Sequence, residues 1–198
     1  MDYGVQIKVL SPNESQLKKL LKEYRKVTEE DSYTAPKEKD WDKNIKDIIQ
    51  EENTVSFKFE QDRSVKNGSS ISFILTVANK NFLFLGDAHP NDVVEQLEQL
   101  CFSKENKLEV EFVKISHHGS KGNTTEKLLE ILKTDNYIIS TDSSGHNHPS
   151  KRTLARILHV NPNAIFHFNY EHVRNEVFSD QDRGDFKIKA KIVSELNF

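Results

Sequence analysis

The sequence predicts an α/β fold, a mixed sheet with helices, on three observations. Short β-branched or aromatic runs alternate with amphipathic helical stretches through the second half of the chain. Polar clusters fall where those runs end: Gly86-Asp87, His117-His118-Gly119-Ser120 and His146-Asn147-His148-Pro149. The length, 198 residues, suits one domain with a single core.

In chain order, Val5 to Leu10 alternates as a short strand, stopped by Ser11-Pro12-Asn13. Ser11 or Asn13 is placed to cap a helix in which Leu17, Leu20, Leu21 and Tyr24 recur at helical spacing. Thr28 to Asp40 is polar, holds Pro36 and reads as a loop. Trp41, Ile45, Ile48 and Ile49 then suggest a second short helix. Residues 14–52 therefore read as a charged, peripheral helical insertion within a single domain, 1–198.

From Val55 the character changes. Val55, Phe57 and Phe59 alternate with polar residues as a half-exposed strand, and Asn67-Gly68 signals a turn. Ile71 to Val77 and Phe82 to Leu85 pair as a hairpin about Asn79-Lys80. Pro90 to Phe102 carries Val93, Val94, Leu97 and Leu100 on one helical face, with Pro90 at its start. A strand over Val110 to Ile115, a helix over Thr125 to Leu132 and a strand over Tyr137 to Ile139 follow. Ser150 caps a helix through Leu154, Ile157 and Leu158. Ala164 to Phe168, Val173 to Phe178 and Phe186 to Val193 read as closing strands. There is no internal repeat and no low-complexity segment.

Composition narrows the function classes. There are 28 Lys plus Arg against 31 Asp plus Glu, a net charge of -3, so any nucleic-acid contact needs a local basic patch. Cys101 is the single cysteine, which excludes an intramolecular disulfide and a Cys-rich zinc site and fits a reducing compartment. No apolar run reaches bilayer-spanning length, and the N-terminus lacks the basic and apolar regions of a signal peptide. The expectation is a cytoplasmic chain with no membrane partner.

Carboxylate and imidazole at strand ends are ligand types that zinc, manganese or iron accept. Asp87 is a candidate metal ligand, although an Asp at a strand end equally makes an Asx-turn or caps a helix. His117 and His118 offer a ligand and an acid/base group, since only one of two neighbours points into a site from a strand; the alternative is a hydrogen-bonded loop histidine. Gly119 permits close approach, and Ser120 can cap or bind an oxyanion. His146 and His148 have the His-x-His spacing of an extended metal-binding segment or of a solvated loop. His89, beside Asp87 and before Pro90, reads as a surface residue, whereas His159, His167 and His172 have no partner pattern and read as structural or exposed.

The order of these clusters resembles the metallo-β-lactamase superfamily, in particular the branch found at the end of ComEC/Rec2-type DNA-uptake proteins and in related stand-alone hydrolases. The matching pieces are Val9 to Pro12, Asn67 to Leu75, Phe82 to Asp87, Lys114 to Ser120, Ile138 to Ser140 and His148-Pro149. The resemblance implies an αββα sandwich with one or two divalent metals, usually zinc or manganese, at the strand ends. It implies Asp87 as a carboxylate bridging two metals and His117 as the later histidine ligand, with His118 the less favoured choice for that role. Asp87, His118 and His148 would serve the chemistry, His148 by positioning a phosphate or protonating a leaving group. The implied substrates are phosphodiesters, nucleic acid among them. The superfamily motif His-x-His-x-Asp-His is absent, and no histidine precedes His89. The resemblance thus covers the C-terminal portion of such a domain and leaves one sheet face without its cover. Such a face calls for an N-terminal complementing chain, a homodimer or cover by the inserted helices, unless the sequence is a fragment. The alternative to a hydrolase is a catalytically inactive binding or interaction module of the same fold.

Overall fold

The structure, a computed structural model, describes residues 4–25 and 39–195. The predicted loop from Thr28 lies mostly outside the described residues. The elements are β1 (Val5–Ser11), α1 (Glu14–Tyr24), α2 (Ile45–Glu52), α3 (Val65–Gly68), β2 (Ser72–Val77), β3 (Lys80–Phe84), α4 (Pro90–Gln99), β4 (Leu108–Glu109) and β5 (Val113–Lys114). They continue with a tight turn at Ser116–Gly119, α5 (Glu126–Glu130), β6 (Leu132–Lys133), β7 (Asn136–Ile139), α6 (Lys151–Val160), β8 (Ile165–Phe168), α7 (Glu171–Glu176), α8 (Asp180–Asp185) and β9 (Lys189–Ile192).

The class is as predicted: α/β, with a mixed sheet of seven strands in the order β1-β2-β3-β5-β7-β8-β9. The first three strands pair antiparallel and the rest parallel. The β2–β3 hairpin turns on Ala78 and Asn79, both left-handed at φ 49° and 62°, the conformation whose twist matches the flanking strands. From β3 onward each new strand is added on the same side of the last. Right-handed crossovers then carry every connecting helix to one face of the sheet.

Burial follows that asymmetry. One face presents Leu10, Ile74, Leu83, Leu85, Val113, Ile115, Tyr137, Ile139, Phe166 and Phe168, all buried with α4, α5 and α6 in one core. Strand register puts Val5, Ile7 and Val9 beside Val77, Leu75 and Phe73 on the opposite face, with Phe82 and Phe84 next to them. Ile7 is 64% exposed there, and Val5 and Val9 are exposed with it. Phe73 stacks on Phe84 at 4.9 Å, and Phe112 closes edge-on against Phe84 at 5.4 Å. An apolar sheet face therefore lies open among the described residues. The seven-stranded sheet with its helices, beside a separate two-stranded sheet of β4 and β6, is compatible with an αββα sandwich.

Several sequence expectations change. Val55 to Phe59 forms no strand, because α2 and its following turns keep this segment beside α6, where the Arg152 and Arg156 guanidinium groups lie over the Phe57 and Phe59 rings. Asn67-Gly68 closes a helical turn, capped by the Ser64 hydroxyl. Val173 to Phe178 is helical over Glu171–Glu176, with Val173 and Val177 turned into the core at i, i+4 spacing. Within the stretch expected to be peripheral, α1 leaves Leu17 and Leu21 exposed, but Trp41, Ile45 and Ile48 are core residues.

The α2 segment is also fixed by polar groups. Asp40 accepts hydrogen bonds from the Ser150 hydroxyl and the Lys151 N–H at the start of α6. The Trp41 indole donates to the Pro149 carbonyl at 2.7 Å. Arg156 spans from Glu52 to the carbonyls of Lys121 and Thr124.

Candidate functional site

Three strand ends converge on one site. Leu85 closes β3 by donating its N–H to the Lys114 carbonyl, and Gly86 then turns at φ 53° to deliver Asp87. A Cβ at Gly86 would stand 2.6 Å from the Ile71 carbonyl oxygen and 2.9 Å from Ser70 Oγ, so the turn admits no side chain. The Asp87 N–H donates to Ser70 Oγ at 3.0 Å. Asp87 is therefore aimed by backbone packing.

After β5 the chain enters the turn at Ser116–Gly119 with His117 and His118 both left-handed, at φ 45° and 54°. Consecutive non-glycine residues in that region are unfavourable and persist only where the surroundings hold them. Here the His117 N–H donates to the Gly86 carbonyl at 2.8 Å, the Ser116 hydroxyl to the Ala88 carbonyl, and the Ser150 N–H to the Gly119 carbonyl. A Cβ at Gly119 would meet Pro149 Cβ at 2.7 Å. The turn is thus locked to the Asp87 loop on one side and to the His148-Pro149 loop on the other.

The two histidines point apart, but the tight left-handed turn separates them, and strand alternation does not. His117 is largely buried and faces His148, ring centroids 5.1 Å apart. His118 is exposed, and its Nδ1 lies 2.5 Å from the Ser140 carbonyl, to which it donates. His148 is only 8% exposed, and its Nε2 is buried with no hydrogen-bond partner among the described residues. Its ring nevertheless lies near His146, centroids 6.0 Å apart.

Three further residues were not singled out from sequence: Asp62, Asn67 and Asn123. Asp62 Oδ2 lies 3.4 Å from His117 Nδ1 and accepts from the side-chain amides of Asn67 at 2.7 Å and Asn123 at 3.1 Å. Its Oδ1 accepts the Ser64 N–H. Asn123 is fully buried and also donates to the Asp87 carbonyl oxygen at 3.1 Å. Asp62 and Asn123 sit in irregular segments and Asn67 in the single turn of α3, with no hydrophobic periodicity around them. The one sequence signal was the Asn67-Gly68 pair, read as a turn.

Electrostatics follow from that packing. Burial would raise the Asp62 carboxyl, but hydrogen bonds from His117, the Ser64 N–H, Asn67 and Asn123 outweigh it and hold the group far below the usual carboxylate range. Burial disfavours the His117 cation, yet Asp62, the Asp87 charge and Asn123 together raise its pKa above the ordinary value. His148 moves the other way, pushed down to about 4 by burial and by its His117, His146 and His118 neighbours. Burial likewise depresses Lys114, with Asp87 opposing.

Asp87, His117 and His148 are therefore brought together, and His118 stands at the rim. Among the described residues, no group of three or more His, Cys, Asp or Glu side chains is arranged to hold a metal ion. A catalytic zinc takes three protein ligands, so the side chains present do not by themselves fit a resident zinc or manganese. No helix among the described residues is long and apolar enough to cross a membrane.

No protein-family model matches the chain, and no solved structure does. The chain is similar to ComE operon protein 3 of Bacillus subtilis (strain 168), 25% identical over 118 residues, 56% of this chain. The matched region is 15% of that protein's length.

Proposed function

We propose that the chain is the C-terminal portion of a metallo-β-lactamase-type, metal-dependent hydrolase acting on phosphodiesters, nucleic acid among them. Activity needs a further N-terminal segment, a complementing chain or a second copy of the chain. The observation that carries this reading is the convergence of Asp87, His117 and His148 at strand ends beside an apolar sheet face that nothing in the described residues covers. Asp87 and His117 would serve as the donors this chain contributes to zinc or manganese, which supplies Lewis acidity when bound. His148, neutral above about pH 4 and with an unpartnered Nε2, is suited to a hydrogen bond with a substrate oxygen. His118 stands where a substrate would enter. The similarity to ComE operon protein 3 supports the family part of the reading.

The test is phosphodiesterase activity with zinc or manganese, with and without a co-expressed upstream segment carrying His-x-His-x-Asp-His. Activity is expected only with the complement, and Asp87→Ala is expected to abolish it. Absence of activity in every combination would overturn the reading.

The incomplete donor set favours a second reading, a catalytically inactive module whose open face binds a partner protein. It predicts self-association or binding of an apolar dye to the isolated chain. A monodisperse monomer by light scattering that binds no dye would exclude it.

A further inference from the structure

Asn123 settles a proton position in the site. Its side-chain nitrogen faces two acceptors, Asp62 Oδ2 and the Asp87 carbonyl oxygen, both at 3.1 Å. The amide orientation is fixed by that pair, since the reverse orientation would set its oxygen against two acceptors and bury the conflict. Asn123 Oδ1 is therefore the atom that stands 3.2 Å from His117 Nδ1. The other close group on the same nitrogen is Asp62 Oδ2, again an acceptor, at 3.4 Å. Asn67 Nδ2 gives one proton to Asp62 at 2.7 Å, and its second N–H stands 3.4 Å from His117 Nδ1, a longer contact than the one to Asn123 Oδ1. The nearest contact, Asn123 Oδ1, and the charged one, Asp62 Oδ2, are both acceptors, which favours the proton on Nδ1.

We infer that Asp62 and Asn123 are positioning residues that hold His117 in the Nδ1–H tautomer, leaving Nε2 as the nitrogen that meets a ligand. Nε2 has no protein partner among the described residues. A carboxylate or carbonyl behind the inner nitrogen of an imidazole fixes ring orientation and raises the basicity of the outer one. Asn123 does more, because the same amide also grips the Asp87 backbone. One buried side chain thereby sets the spacing between the site's imidazole and its carboxylate. Asp62 is in turn held by Asn67 and the Ser64 N–H, so the network is closed on the protein side.

The inference rests on His117 being the working imidazole of the proposed site, and its test is independent of hydrolysis. Long-range proton–nitrogen NMR correlation on the isolated chain, above the His117 titration midpoint, is expected to show a protonated Nδ1 and a pyridine-like Nε2. Free imidazole side chains favour the opposite form, so wild-type His117 found predominantly as Nε2–H would overturn the inference without any variant. In Asp62→Asn that remains folded, the majority form is expected to switch to Nε2–H; retention of Nδ1–H there removes Asp62 from the role. Asn123→Ala tests the second contact in the same spectrum, with His172 as an unaffected internal standard. The Nδ1–H form together with no hydrolysis under any complementation sinks the hydrolase reading and leaves the positioning intact. The Nε2–H form in an active complemented protein does the reverse.

Discussion

Lys151 Nζ lies 2.6 Å from Asp182 Oδ2 with both side chains sealed from solvent, joining the start of α6 to α8. The same ammonium donates to the Trp41 carbonyl, and Asp182 Oδ1 accepts the Ile45 N–H. Burial alone would raise the Asp182 carboxyl; hydrogen bonds from the Ile45 N–H, Lys151 and Ser179 reverse that and lower it. Breaking the pair from one side strands a buried charge. Lys151→Met is expected to cost about 3–5 kcal/mol in urea unfolding. Lys151→Met combined with Asp182→Leu is expected to cost less than the two single changes added together.

Ile45 is fully buried in the main core, although it belongs to a stretch whose composition suggests a solvated appendage. Ile45→Ala is expected to lose about 2–5 kcal/mol, the range for truncating a packed aliphatic side chain. Leu21→Ala, on the exposed face of α1, is expected to stay within about 0.5 kcal/mol of wild type. Chemical denaturation of the two variants side by side checks both.

Gly86→Ala strikes the site through the backbone. The new Cβ would collide with the Ile71 carbonyl at 2.6 Å, and the residue sits at φ 53°. A loss of more than about 1 kcal/mol is expected, the cost of a side chain where positive φ and a close contact coincide. The amide resonances of Asp87 and His117 are expected to shift most, because the Gly86 carbonyl accepts the His117 N–H.

His148 gives the fold a pH dependence of definite sign. Its folded pKa of about 4 lies below the ordinary 6.5, so between those values the unfolded chain binds more protons. Stability is expected to fall as pH drops from 6.5 toward 4, by at most about 1.4 kcal/mol per pH unit from this group. His117 has a raised pKa, so its stabilising contribution is complete only well below 6.5 and it adds little slope toward pH 4. The lowered pKa of His167 acts in the same direction as His148. Urea midpoints measured across this range, with His148→Gln showing a flatter profile, check the assignment.

Sequence patterns exposed the layers of the fold where periodicity was strong. The β2–β3 hairpin, α4, α6 and β8 lie where alternation or helical spacing put them. They misled where aromatic and β-branched residues served another end. Phe57 and Phe59 lie under arginines in place of a sheet, and Val173 to Phe178 holds strand formers that the core takes up as a helix. The site followed the same division. Asp87, His117 and His148 stand beside glycine and proline signals that mark strand ends. Asp62 and Asn123 come from irregular segments and Asn67 from the one-turn α3, and only folding places them around one imidazole. Asn123 is 56 residues from Asn67 in sequence, and no local pattern connects them.

The contacts at Asp40 and Trp41 give this arrangement a remote handle. Trp41 holds the carbonyl of Pro149, the residue after His148, and Asp40 holds the two residues beyond it. A displacement at Trp41 would therefore reach the His148 loop by a single hydrogen bond, without crossing the hydrophobic interior. A segment that looks like an appendage by composition is mechanically the shortest lever onto the buried imidazole.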